Sequence, residues 1–281
     1  DVPMVISHYL TAAPRLLRSR RRGGPVPVVS NSVELHRPNG VTAVILFSSY
    51  NDMFGYPGVN DPQTRERLRA FVELMHAQGI KVLVYAGWGM STDAPEWERF
   101  GSELVNLPLR NSGYGTYWAS PVSLFPDLFV YRLAEHMREF GLDGIYMDST
   151  TSINGSVHPN GMRWTDEDGN ARGSYPVRAM RDFTLRIYRM VNGEVVDGGV
   201  YYNHHSPPAN ACVENFVSVR CPSEFAQFYE GPLDDEFVDA FLAKNGGVPF
   251  GYYCELTNKN WMPGIAKSIT ELYSLALPLQ V

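Results

Sequence analysis

A chain of 281 residues with 44% hydrophobic and 19% charged side chains is long enough to bury one large core and too apolar to remain disordered. Its formal net charge of -6 argues against non-specific attachment to nucleic acid or to an anionic membrane surface. Three cysteines, Cys212, Cys221 and Cys254, form an odd set without metal-like pair spacing, so neither a complete disulfide framework nor a cysteine zinc site is expected.

Taken in chain order, residues 3–7 read as a first strand. An Arg-, Pro- and Gly-rich stretch follows to about residue 39, with a short helix around 32–37 and a solvated basic cluster at Arg18, Arg20, Arg21 and Arg22. Residues 40–48 are predominantly apolar, as a parallel strand covered on both faces should be. The turn-rich loop 51–58 leads to Asp61-Pro62, a helix cap followed by proline at the first helical position. Leu68, Phe71, Val72 and Met75 then recur at helical spacing, and Gly79 stops the helix before a strand over 81–88. Residues 89–122 read as a long irregular connection, a length that tends to carry function.

A helix resumes near Pro126 with Val130, Leu133, Ala134 and Met137 as its expected inner stripe. Gly141 suits the left-handed residue that closes it. Gly144-Ile145-Tyr146-Met147 is too short for a helix and reads as a buried parallel strand. Side chains alternate along a strand, so Gly144, Tyr146 and Asp148 share one face, with the carboxylate at the C-terminal end. A polar loop over 149–175 precedes a helix over 175–191, with Met180, Phe183, Ile187, Tyr188 and Val191 facing inward. Strands are expected at 199–204, 215–220 and 248–253, helices at 233–244 and 262–274, and a last strand in 275–281. About eight strands alternating with helices predict a single (β/α)₈ barrel over 1–281. The competing doubly wound sheet lacks a Gly-x-Gly-x-x-Gly turn after any strand.

In such a barrel the chemistry sits where the strands end, which draws attention to His8, Tyr50, Asp52, Trp88, Asp93, Asp148, His204, His205, Glu224 and Glu255. Asp148 is the leading candidate, because Ser149 and Thr150 follow it and a long loop departs there. Asp143, at the other end of the same strand, reads as a structural cap. Glycoside cleavage needs a second acid, one group giving a proton to the leaving oxygen while the other attacks or activates water. Glu224 lies beside aromatic residues in Ser223-Glu224-Phe225-Ala226-Gln227-Phe228, where desolvation favours the protonated form; Glu230 and then Glu255 are the reserves.

Tyr50, Asp52, Trp88, Tyr146, Asn203, His204, Trp118 and Trp164 are the expected substrate-binding groups, the aromatic ones as platforms for sugar rings. Trp261 is a further aromatic of that kind. His204 and His205 are adjacent and point to opposite strand faces, so no metal and no other cofactor is expected. Neither a serine-hydrolase elbow nor a phosphate loop is present in the sequence.

Gly141-Leu142-Asp143-Gly144-Ile145-Tyr146-Met147-Asp148 resembles the fourth-strand segment of barrel glycoside hydrolases, including the α-galactosidase clan and the endo-acting α-N-acetylgalactosaminidases. In those families the aspartate ending an Asp-Gly-x-x-x-Asp strand is the catalytic nucleophile, a role the resemblance places on Asp148. Residues 40–260 are also similar to bacterial glycoside-hydrolase-like proteins related to β-N-acetylgalactosaminidases, which carry a β-sandwich ahead of the barrel. Phe54-Gly55-Tyr56-Pro57-Gly58, the segment from Ser174 to Arg181, and Ser223 to Phe228 support that similarity. Substrate-assisted members have an Asp-Glu pair at the strand end, whereas Ser149 follows Asp148 here, which favours either a direct Asp148 nucleophile or a different acid over an acetamido-assisted mechanism.

The expected partner is therefore a carbohydrate, with no nucleic acid and no membrane, and a flanking β-sandwich is implied for a longer chain. An opening that is already strand-like fits a trimmed domain, and a lost targeting segment would make the protein secreted or periplasmic. The alternative functions are a non-catalytic carbohydrate-binding barrel and, further off, a metal-dependent amidohydrolase or deacetylase.

Overall fold

The structure, a computed structural model, describes residues 4–8, 41–46, 53–106, 111–113, 115–148, 163–204, 215–221, 252–253 and 279–280. Its elements in chain order are β1 (Met4–His8), β2 (Val41–Leu46), α1 (Pro62–His76), β3 (Lys81–Ala86), β4 (Gly89–Ser91) and α2 (Trp97–Leu104). Then follow β5 (Asn111–Gly113), β6 (Thr116–Trp118), α3 (Phe125–Phe140), β7 (Gly144–Met147), β8 (Arg163–Thr165) and β9 (Ala171–Gly173). The chain continues with α4 (Val177–Arg189), β10 (Val200–His204), β11 (Val219–Cys221), β12 (Tyr252–Tyr253) and β13 (Leu279–Gln280).

Six strands form one sheet in the order β1-β2-β3-β7-β10-β11, and every pairing in it is parallel. β12 and β13 form a second parallel pair, and β13 lies against β1. The expected helices at 32–37, 233–244 and 262–274 lie outside the described residues.

The helices form for the reasons the sequence suggests. Asp61 caps α1, its side chain accepting from the Thr64 N–H at 2.7 Å, and Leu68, Phe71, Val72 and Met75 are its buried face. Gly141 closes α3 in the left-handed conformation at φ 69°, its N–H donating to the Met137 carbonyl. The buried face of α3 differs from the expected one: Phe125, Phe129, Leu133, His136, Met137 and Phe140 point inward, while Val130 and Ala134 are only partly buried. The three phenylalanines carry more apolar area than the valine and alanine, so they set the rotation of the helix. α4 begins at Val177, and a wide turn over Met190–Glu194 ends it, with Tyr188 at the edge of the core.

Two expected loops carry structure that no single-segment pattern shows. Within 89–122, β4, β5 and β6 make a small antiparallel sheet in the order β4-β6-β5. Beside it, Trp97 of α2 stacks on Tyr117 of β6 at 5.2 Å with 9° between the rings. Within 149–175, β8 and β9 form a hairpin whose turn is tied by Asp166, which accepts from the N–H groups of Asp168 and Asn170 and from Arg172 Nε.

At the N-terminal edge of the sheet, Asp143 accepts from the Val82 N–H at 2.7 Å, and His76 Nε2 lies 2.7 Å from the same oxygen. This carboxylate ties β7 to β3 and to the end of α1. Next to it, a Cβ at Gly144 would meet the Val200 carbonyl oxygen at 2.0 Å, so β7 and β10 approach too closely for any side chain. Among the described residues no helix is long and apolar enough to cross a membrane.

His136 is 4% exposed, and burial, with Arg65 nearby, pushes its imidazole down to about 3. It is therefore neutral in the native state and charges on unfolding once the pH drops below the ordinary histidine value. The contribution of this group is fully present above about pH 6.5 and is lost as pH falls toward 3. The loss at pH 5 from this group alone is about 2 kcal/mol. Chemical denaturation at pH 7 and pH 5 should show that loss in the wild type and a smaller one in His136→Leu.

Candidate active site

Parallel register places Tyr85, Tyr146 and Tyr202 side by side on β3, β7 and β10. Their rings form a stacked row, Tyr85 to Tyr146 at 5.8 Å and Tyr146 to Tyr202 at 5.3 Å, with interplanar angles of 24° and 26°. All three are buried. One step beyond the row, on the same strand face, come Asp148 and His204. The opposite face is the helix-covered one: Trp88, in step with Val82, Val84 and Ala86, packs edge-on against Phe125 of α3 and Phe183 of α4. The tyrosine face therefore looks into the barrel, and Asp148 stands at the C-terminal mouth.

Asp148 is held from both sides. The Tyr85 hydroxyl donates to Oδ2 at 2.8 Å, and His204 Nδ1 lies 2.5 Å from Oδ1. The Asp148 N–H donates to the Ala86 carbonyl at 2.8 Å, so the backbone is fixed to β3 as firmly as the side chain. Its side chain is 24% exposed, against 11% for His204. A carboxyl group that accepts on both oxygens is set up as an anion and an acceptor, not as a proton donor. His204 also stacks on Tyr146 at 5.9 Å, so Tyr146 braces both donors.

Among the described residues, the loops after β2 and β3 lie beside this carboxylate. In the first, the Gly55 carbonyl accepts from the Gly87 N–H at 2.9 Å, and Gly55 takes φ +71°, packing directly on Gly87. Tyr56 anchors that loop from below. Its ring packs on Phe125 and Phe129, and burial, with Glu96 beside the hydroxyl, pushes its ionisation well above the ordinary tyrosine value. The Phe54-Gly55-Tyr56-Pro57-Gly58 segment is thus a loop-fixing device. Phe54 itself packs on Tyr85 at 5.6 Å.

Of the expected site residues, the structure brings Asp148, Tyr146 and His204 together. Tyr146 is 2% exposed and serves as floor beneath the carboxylate, not as a sugar contact. Two further expectations are corrected. Trp88 is 1% exposed, its indole N–H donates to the Ala119 carbonyl at 2.8 Å, and it belongs to the core between helices, not to a sugar cleft. Asn203 is 1% exposed on β10, and alternation turns it to the face opposite Tyr202 and His204. Trp118 is half-buried in β6, and Trp164 stands 55% exposed on the β8–β9 hairpin.

Tyr50, Asp52, Glu224, Glu230, Glu255, His205 and Trp261 lie outside the described residues. Tyr85 is the group that strand-end reasoning missed. The signal was present: Tyr85 is the in-register neighbour of Tyr146 and sits one pleat below the mouth, from where a phenol is long enough to reach it.

No protein-family model matches the sequence, and no curated protein matches it. Solved structures do match the fold. The glycoside hydrolase domain of PelA from Pseudomonas aeruginosa has a TM-score of 0.53 at 14% identity, covering 98% of this chain and 92% of that one. The noncanonic maltogenic α-amylase AmyB from Thermotoga neapolitana reaches 0.60 at 10% identity, covering 99% and 66%. The fold is the (β/α)₈ barrel of glycoside hydrolases. An α-galactosidase from Thermus thermophilus, solved with p-nitrophenyl α-D-galactopyranoside, shares it at 0.55 and 11% identity, over 99% of this chain and 57% of that one. The chain thus spans about two thirds of the amylase and little more than half of the galactosidase.

Within this glycoside-hydrolase-like barrel, Trp88 supplies a direct test of the correction above. Trp88→Ala should cost about 3–5 kcal/mol of unfolding free energy. A denaturant titration showing wild-type stability would return Trp88 to the surface of the site.

Proposed function

We propose that the chain is a glycoside hydrolase acting on a carbohydrate substrate, with Asp148 as nucleophile or water-activating base and Glu224 as the general acid/base. One observation carries this reading: a partly exposed carboxylate at the C-terminal end of β7, accepting on both oxygens, at the mouth of a barrel shared with glycoside hydrolases. With the Tyr85 hydroxyl donating to one oxygen and His204 Nδ1 beside the other, Asp148 takes the anionic role, and the leaving-group proton is assigned to another acid. Glu224 is the assignment that the sequence favours, with Glu230 and Glu255 in reserve.

The chemistry balances as a hydrolysis. The bond from the anomeric carbon to the leaving oxygen breaks, its electron pair stays on that oxygen, and the acid supplies the proton. Asp148 either bonds to the anomeric carbon until water displaces it or removes a proton from the attacking water. Water is added across the glycosidic bond in both cases. Tyr50, Asp52, Trp118 and Trp164 are the proposed substrate contacts, the two indoles as faces for sugar rings.

The test is hydrolysis of a panel of glycans and aryl glycosides by the wild type and by Asp148→Asn. The reading expects cleavage of at least one substrate class and a fall of roughly 10³-fold or more in kcat for the variant. Preserved turnover in Asp148→Asn would remove Asp148 from the reaction. Saturable glycan binding without product in the wild type would instead make the protein a carbohydrate-binding barrel. Glu224→Gln should slow natural glycosides far more than aryl glycosides with good leaving groups, and equal losses on both would reassign the acid.

Trp164 gives a second, independent expectation. Trp164→Ala should raise KM for an extended oligosaccharide roughly three- to tenfold and leave a small aryl glycoside unchanged. Unchanged KM for both would remove the β8–β9 hairpin from substrate binding.

A further inference from the structure

We propose that Tyr85 and His204 act as a pair of positioning residues that fix the plane and the charge of Asp148, with Tyr146 as the brace that holds both. The proposal rests on the glycosidase reading above and adds to it a reason why Asp148 takes the anionic role.

A carboxylate on a short side chain turns about two bonds, and an attacking or proton-accepting oxygen has to be aimed. Here the two oxygens are gripped from the strands on either side of β7, Oδ2 by Tyr85 on β3 at 2.8 Å and Oδ1 by His204 on β10 at 2.5 Å. Rotation of the carboxylate plane would break one bond or both. Both donors are held in turn by packing. Tyr85 lies between Phe54 at 5.6 Å and Tyr146 at 5.8 Å, and His204 lies against Tyr146 at 5.9 Å. With 5% of Tyr85 and 9% of His204 exposed, neither is placed to make a broad contact with a sugar. The Tyr85 hydroxyl and His204 Nδ1 are directed at Asp148.

The contact with His204 also selects a tautomer. Nδ1 must carry hydrogen to donate to a carboxylate, in the neutral ring as well as in the charged one. A donor therefore faces Oδ1 whichever charge the imidazole carries. Hydrogen bonds to the ionised form stabilise that form, so the pair keeps Asp148 a carboxylate at pH values where a bare acid in a partly enclosed site would begin to hold its proton. Replacing His204 as a sugar ligand by His204 as a carboxylate partner changes what its substitution should do: the loss falls on kcat, not on KM.

The experiment compares Tyr85→Phe, His204→Phe and His204→Asn with the wild type. Tyr85→Phe keeps the ring between Phe54 and Tyr146 and removes the hydroxyl. His204→Phe keeps a ring on Tyr146 and removes the donor, whereas His204→Asn keeps an N–H near the Nδ1 position. On a cleaved glycoside, Tyr85→Phe and His204→Phe should each lower kcat roughly 10- to 100-fold, as loss of one hydrogen bond to a charged group does, with KM within about threefold. His204→Asn should retain more kcat than His204→Phe. The acid limb of kcat/KM should move to higher pH in Tyr85→Phe, because a carboxylate that has lost a donor takes up its proton earlier.

A substrate-free readout separates this proposal from the function beneath it. The ¹³C resonance of the Asp148 carboxyl, assigned with Asp148→Asn, should titrate at higher pH in Tyr85→Phe than in the wild type. If that shift is seen and no glycoside is cleaved, the pair stands and the glycosidase reading falls. If cleavage depends on Asp148 but Tyr85→Phe leaves kcat, the acid limb and the ¹³C midpoint unchanged, the pair is refuted. His204→Phe matching or exceeding His204→Asn would refute the donor role of His204, and that comparison also serves if Tyr85→Phe fails to fold.

Discussion

Everything proposed for this barrel depends on one constraint: a carboxylate suspended between donors from two neighbouring strands. The constraint has a long chain of causes. Asp148 can be reached from β3 and β10 because both strands pair directly with β7 in parallel, with register that sets Tyr85, Tyr146 and Tyr202 abreast. The stacked row lies on the sheet face just below the mouth, so the residues one pleat higher have a floor. At the far end of the same strand, Gly144 permits β7 and β10 to close up where any side chain would collide with the Val200 carbonyl. Geometry at the mouth is thus fixed partly by a missing side chain at the base.

The two aspartates of the Asp-Gly-x-x-x-Asp segment show how position on one short strand decides between structure and chemistry. Asp143 spends its carboxylate on the Val82 N–H and on His76, contacts that tie strand to strand and strand to helix. Asp148 sits beyond the last residue of β7, partly open to solvent, and its partners are side chains from the two flanking strands. The same functional group serves as a fastening at one end and as a poised anion at the other. That contrast was legible in the sequence, because strand parity and the direction of parallel strands suffice to separate the two ends.

Much of the frame was legible for the same reason. Continuous apolar strands, the Asp61 cap and the glycine stop at Gly141 each report local physics, and each stands where expected. What was hidden needed information from elsewhere in the chain. The three short strands within 89–122 pair with one another among the described residues, and none has an apolar pattern long enough to announce itself. Trp88 and Asn203 were placed in the site because they lie close to strand ends, yet each is one step out of phase with the mouth-facing residue beside it, and phase decides which face a side chain joins. The rotation of α3, which buries His136 and leaves Val130 at the edge, follows from which aromatic side chains the barrel wall can accommodate.

The central claim is that the anion at residue 148 is the group a glycan meets at its reacting carbon. The most direct measurement is an experimental structure of the Asp148→Asn protein with a bound oligosaccharide. The account predicts a glycosidic bond lying over the Tyr85–Tyr146–His204 floor, with its anomeric carbon, or an ordered water poised to attack it, about 3–3.5 Å from the residue-148 side chain. A glycan bound in an ordered pose elsewhere, with no reacting atom near that side chain, would contradict it.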